Sequence, residues 1–233
     1  MNKRLSALLA ILALAAAPAQ ARDLSVTVTN LTHGIYFTPL LIAAHSSDVE
    51  VFTPGRAASP ALTAMAECGD ISSLVAELEA ADADIAANPA MGVLAPGAEA
   101  SAVVAAADSN DHLSLVAMML PTNDGFIGLA ARPVPEEPGD YSFELYGYDA
   151  GTEANDELLD TSGCTPGMPG IPADPGGHGG TGGSGVAVDE LNDTVHVHRG
   201  NLGDSLPTGG VSDLDSTVHR WLNPVARVRL TVQ

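Results

Sequence analysis

Residues 24–31, Leu-Ser-Val-Thr-Val-Thr-Asn-Leu, alternate apolar and polar side chains. That period of two predicts a first strand with one buried face. Residues 34–44 form a second apolar run, and Pro39 inside it predicts an edge strand or a bend. The pattern then turns helical. Ser59-Pro60 reads as an N-cap followed by a first-turn proline, with Gly69 as the stop. Asp70 caps a second helix carrying Ile71, Leu74, Val75 and Leu78 at helical spacing, and that helix is expected to fade by Asn88-Pro89. Strands return at residues 98–106, 113–120, 126–131 and 141–146, and two more close the chain at 194–198 and 226–232. Residues 166–185 are rich in Gly and Pro and read as a flexible surface loop.

Strands at this spacing predict a mainly-β fold: an antiparallel β-sandwich with two short helices inserted. Residues 22–233 are long enough for one such domain with a sizeable core. Residues 1–21 have the anatomy of a secretory signal: Lys3-Arg4, an apolar run, and Ala19-Gln20-Ala21 as a small-x-small cleavage site. That run is too short to span a bilayer, and no later stretch is apolar for long enough. The expected product is exported, periplasmic or extracellular, with no membrane insertion.

Charge narrows the partners. The chain carries a formal −20. Lys3 and Arg4 are two of its nine basic residues, so beyond Ala21 seven arginines face 29 acids, a balance of −22. Such a surface repels nucleic acid and anionic lipid. Cys68 and Cys164 are the only cysteines. In an oxidising compartment they form a candidate disulfide, two buried thiols being the other reading.

The densest chemistry lies in Tyr148-Asp-Ala-Gly-Thr-Glu-Ala-Asn-Asp-Glu157, with four carboxylates and no basic residue. A solvated acidic loop is one reading; a hard cation with oxygen ligands is the other. A second acidic loop, Pro121-Thr-Asn-Asp124-Gly125, sits between two apolar strands, and its Asn and Asp either shape the turn or face Asp149 across one end of the sandwich. His196 and His198 are two apart, so a strand would put both on one face, but no third ligand is evident for zinc or copper. No nucleophile motif is present. Ser-x-x-Lys is impossible beyond the leader, where there is no lysine, and Gly182-Gly-Ser-Gly185 lies in the glycine loop without a strand-to-helix elbow.

Three motifs occur in order: Leu120-Pro-Thr-Asn-Asp-Gly-Phe-Ile-Gly128, Tyr148-Asp-Ala-Gly-Thr-Glu-Ala-Asn-Asp-Glu157 and Trp221-Leu-Asn-Pro-Val-Ala-Arg-Val-Arg-Leu230. Together they resemble the spondin domain family, the amino-terminal module of F-spondin and mindin, with its bacterial versions. The similarity runs over about residues 24–233. The resemblance implies a C2-like antiparallel β-sandwich with a divalent cation, taken as Ca²⁺, at one end. By motif position Asp124 and Asp149 would be its ligands, with Glu153 where the family has Asp or Glu. It further implies a non-enzymatic, adhesion-type binding module whose partner is an extracellular protein or glycan. Thrombospondin-type repeats are missing, and the helical segment and glycine loop are additions. Two other classes stay open: a secreted hydrolase using the same carboxylates, and an acidic structural surface protein.

Overall fold

The computed structural model describes residues 21–186 and 193–233. The secretory-signal expectation, apart from Ala21, lies outside the described residues. The strands are β1 (Arg22–Asn30), β2 (Tyr36–Phe37), β3 (Leu41–His45), β4 (Asp84–Ala87), β5 (Glu99–Ala106), β6 (His112–Leu120), β7 (Gly125–Pro133), β8 (Gly139–Asp149), β9 (His196–Val197) and β10 (Ala226–Val232). Helices α1 (Pro60–Cys68) and α2 (Ser72–Ala80) lie between β3 and β4. The strands hydrogen-bond in the order β4-β3-β6-β7-β8-β10-β1-β5, with β2 beside β6 and β9 beside β8. Every pairing between these strands is antiparallel.

The ends of this path meet. Asp84 of β4 accepts the Ala107 N–H just beyond β5 at 2.8 Å and the Asn110 side-chain amide at 2.7 Å. The sheet therefore curls on itself, and its inner faces pack as a β-sandwich. Alternation along the strands distributes the core. Leu24, Val26 and Val28 of β1 point inward with Val228 and Leu230 of β10, while Thr27 and Thr29 face outward to Ser101 and Glu99 on β5. β6 is apolar on both faces because both are covered. Leu113, Leu115, Ala117 and Met119 enter the inner core. Val116, Met118 and Leu120 enter an outer core under Leu62 and Met65 of α1 and Leu74 and Leu78 of α2. A strand buried on two sides loses its alternation, as its continuous apolar run shows.

Helix α1 begins where Ser59 Oγ accepts the Leu62 N–H at 3.1 Å and ends at Gly69, whose φ of 68° suits glycine. Asp70 supports α2 by accepting the Ser72 N–H at 2.9 Å. α2 stops at Ala80 rather than fading towards Asn88, and residues 84–87 become β4. The expectation of a longer helix fails because pairing to β3, with Ala43 opposite Ile85, outweighs the Ala-rich helical preference of the segment. Cys68 and Cys164 form a disulfide with Cα atoms 5.5 Å apart, tying the end of α1 to the loops after β8.

Those loops contain little regular structure and are held by carboxylates that accept backbone N–H groups. Asp174 takes those of Gly176, His178 and Gly179. Asp213 takes those of Leu159, Gly182 and Gly183, and Asp204 those of Leu206, Val211 and Ser212. The glycine-rich residues 166–185 are tied down at Asp174 and Asp213. Part of the acidic surplus is thus spent locally, since a carboxylate has about four lone-pair sites for neighbouring amides.

Candidate functional site

Register brings the two acidic loops together. β7 and β8 pair with Gly125 opposite Asp149. Asp124 therefore lies one step beyond, where its carbonyl accepts the Ala150 N–H at 3.3 Å. Asp149 is the last residue of β8 and not, as the sequence pattern had it, part of the loop. On its other side it pairs with His196 of β9.

The Pro121–Gly125 turn holds Asp124 rigidly. Thr122 Oγ1 accepts the Gly125 N–H at 3.0 Å and donates to the Met119 carbonyl at 2.5 Å. Asn123 bridges outward: its Nδ2 donates to Asp156 at 3.0 Å and its Oδ1 accepts the Glu157 N–H at 3.2 Å. Asp124 Oδ2 accepts three donors from the opposite loop, the Thr152 N–H at 2.8 Å, the Thr152 hydroxyl at 3.1 Å and the Glu153 N–H at 3.1 Å. Its Oδ1 is buried without a hydrogen-bond partner, and the residue is 0% exposed.

Burial, and next the charge of Asp149, push the Asp124 carboxyl up to about 7, against the pull of its three donors. Asp149 is better served: its Oδ1 accepts the Gly151 N–H at 2.8 Å and its Oδ2 the Asn155 amide at 2.7 Å. His196 Nε2 stands 3.7 Å from that Oδ2. Glu153, the third expected ligand, reaches elsewhere. Its Oε2 accepts the Gly170 N–H at 3.1 Å and the Asn123 amide at 3.4 Å. Burial first, and then the neighbouring carboxylates Glu67 and Asp124, raise it to about 8 against the two donors. Asp124 and Asp149 thus lie close enough for their charges to act on each other, with Glu153 to one side.

His196 and His198 make no shared site. His196 Nδ1 meets the Thr194 carbonyl at 2.8 Å, whereas His198 is buried against Trp221. Among the described residues, no group of three or more His, Cys, Asp or Glu side chains is placed to hold a metal ion.

Sequence reasoning missed three contributors. Asn123 was legible only as a turn former, yet it links both acidic loops. Glu157 accepts the Leu202 and Gly203 N–H groups and the Ser212 hydroxyl at 2.6–2.8 Å, anchoring the next loop. Glu67, at the end of an otherwise apolar helix, is 0% exposed and takes the Gly167 N–H at 2.5 Å. Its partner lies 100 residues away, so no local signal pointed to it.

Among the described residues no helix is long and apolar enough to cross a membrane. No curated protein matches the chain. The Spondin_N family matches residues 29–163, more than half of the chain, including both acidic loops and ending before the Trp221–Leu230 motif. On that match, the chain belongs to the spondin N-terminal domain family.

Proposed function

We propose that this protein is an exported, non-enzymatic binding module whose Asp124–Asp149 loop end is organised by a divalent cation, Ca²⁺ fitting best. Spondin domains are an extracellular binding type of module. The observation that carries the cation is the Asp124 carboxylate: 0% exposed, one oxygen without a donor, and raised by the charge of a second carboxylate. A buried anion in that state is costly, and a cation removes both the repulsion and the unsatisfied oxygen. The donor set fits a hard ion. It consists of carboxylates without thiolates, and the remaining ligands would be carbonyl or amide oxygens and water, which Ca²⁺ accepts readily. Zinc would want a cluster of nitrogen or sulfur donors.

Asp124 and Asp149 would hold the ion, with Glu153 as a further ligand if it turns from Gly170. The ion would supply charge neutralisation and loop rigidity. Hydrolysis by the same carboxylates fits poorly, because Asp124 is sealed from solvent and gives a substrate no approach.

Calorimetric titration of chelator-stripped protein with CaCl₂ tests the proposal. Saturable binding of about one ion, lost in Asp149→Ala while the circular dichroism of the β-sheet is retained, is the expected result. Binding that is unchanged in Asp149→Ala overturns it.

A further inference from the structure

A second site lies one loop away. Arg199, Asn201, Leu202, Arg220, Trp221 and Leu222 line a surface cleft of about 450 Å³, a size that takes a small ligand or a short peptide segment. Its floor is fixed. A Cβ on Gly147 would come within 2.6 Å of Trp221 Cη2, so glycine is what lets the indole lie on β8. His198 packs on that indole with ring centroids 5.0 Å apart. His198 Nδ1 accepts the Gly200 N–H at 2.9 Å, which places the ring proton on Nε2. That Nε2 and Trp221 Nε1 are then two buried N–H donors without an acceptor. Arg199 donates to the Asn155 carbonyl at 3.1 Å, and the Asn201 amide to that of Pro121 at 2.9 Å.

Among the described residues no carboxylate pairs with Arg199 or Arg220. On a chain with 29 acids and eight arginines, two arginines line this cleft and no carboxylate does. Its lining therefore favours an anion on an otherwise anionic protein, with the Glu157 carboxylate held behind Leu202, 2.6 Å from its backbone nitrogen. Its rim is aliphatic: Leu222 is 83% exposed and Leu202 45%. Trp221, at 8%, offers no open aromatic face on which a sugar ring could stack.

We propose that this cleft binds an acidic peptide segment, the two guanidiniums holding a side-chain carboxylate while Leu202 and Leu222 cover an apolar neighbour. Arginine suits the role because its planar fork pairs with carboxylate in two hydrogen bonds.

Trp221 is the single tryptophan, so its emission reports on the cleft directly. The whole protein, kept in chelator so that the result is independent of the cation site, is titrated with acetyl-Leu-Glu-amide, acetyl-Leu-Gln-amide and trigalacturonate. The expected result is a saturable change with the Glu peptide, at least about tenfold weaker with the Gln peptide, and weaker again as salt rises from about 20 to about 200 mM. Arg220→Gln should weaken the Glu peptide at least about tenfold without lowering the melting temperature, since that side chain is exposed and unpaired. No saturable response, an equal response to the Gln peptide, or undiminished binding by Arg220→Gln overturns the proposal. Tighter binding of trigalacturonate makes the cleft an acidic-glycan site instead. An emission change on dilution of the protein alone makes the occupant a second copy; either result overturns the peptide assignment.

Discussion

Asp124→Asn should change sign with conditions, because the carboxylate is a liability without a cation and a ligand with one. In the cation-free protein the carboxyl is pushed from 3.8 to about 7 by burial and by Asp149. Holding it ionised at pH 8 therefore costs about 4 kcal/mol relative to the unfolded chain. Asn removes that cost. Its oxygen still accepts from Thr152 and Glu153, and its NH₂ occupies the position of the orphaned Oδ1. The net expectation is a chelated variant about 4 kcal/mol more stable than wild type at pH 8, or about 8–16 °C in Tm. Since the folded pKa lies above the unfolded one, the wild-type penalty is absent below about pH 4 and grows as pH rises to about 7. The two proteins should therefore converge near pH 4. With calcium at more than about a thousand times its dissociation constant the order at pH 8 reverses, since only wild type then gains more than about 4 kcal/mol of binding energy. Denaturant unfolding at both pH values, in chelator and in calcium, reads all four cases. A chelated Asp124→Asn protein less stable than wild type at pH 8 refutes the reasoning.

Three further outcomes follow from the geometry. Reducing the Cys68–Cys164 bridge, which spans 96 residues, should lower stability by about 4–5 kcal/mol on loop-entropy arithmetic; urea melts with and without reductant check this, and coincident curves would contradict it. Glu157→Gln replaces one accepting oxygen with an NH₂ donor that faces the Leu202 N–H, or the Gly203 N–H and the Ser212 hydroxyl, and should cost about 2–3 kcal/mol, with faster amide exchange at Leu202 and Gly203 than at β1. Burial first, and then the charges of Arg199 and His196, depress His198 to about 3, so its contribution is intact above about pH 6.5 and is lost as pH falls towards 3, up to about 5 kcal/mol. In an Asp124→Asn background, which removes the opposing trend, His198→Phe should flatten the slope between pH 6 and 4; an unchanged slope there would contradict the assignment.

The fold was legible wherever one face is buried and the other wet. β1 and β10 announce themselves by alternation, and α1 by Ser59, Pro60 and Gly69. β4 was not, because Asp-Ile-Ala-Ala carries no pattern of its own and becomes a strand only beside β3. The acidic pair was legible as two motifs, but what brings the two loops together is the register that sets Gly125 opposite Asp149. Glu67 was invisible, since its burial depends on a loop about a hundred residues downstream. The Trp221 cleft was likewise hidden: its walls come from residues 199–202 and 220–222, whose meeting is tertiary, and its floor depends on a glycine in β8.

The central claim is that a specific cation holds the Asp124 and Asp149 loops, and thermal unfolding of chelator-stripped protein tests it most directly. CaCl₂ and MgCl₂ are titrated in parallel at fixed ionic strength and pH 8. The account predicts a saturating, calcium-selective rise of about 2.7 kcal/mol at a hundred times the dissociation constant, absent in Asp124→Asn. A small rise shared equally by both salts and by the variant would mean that the charge is merely screened, and would contradict it.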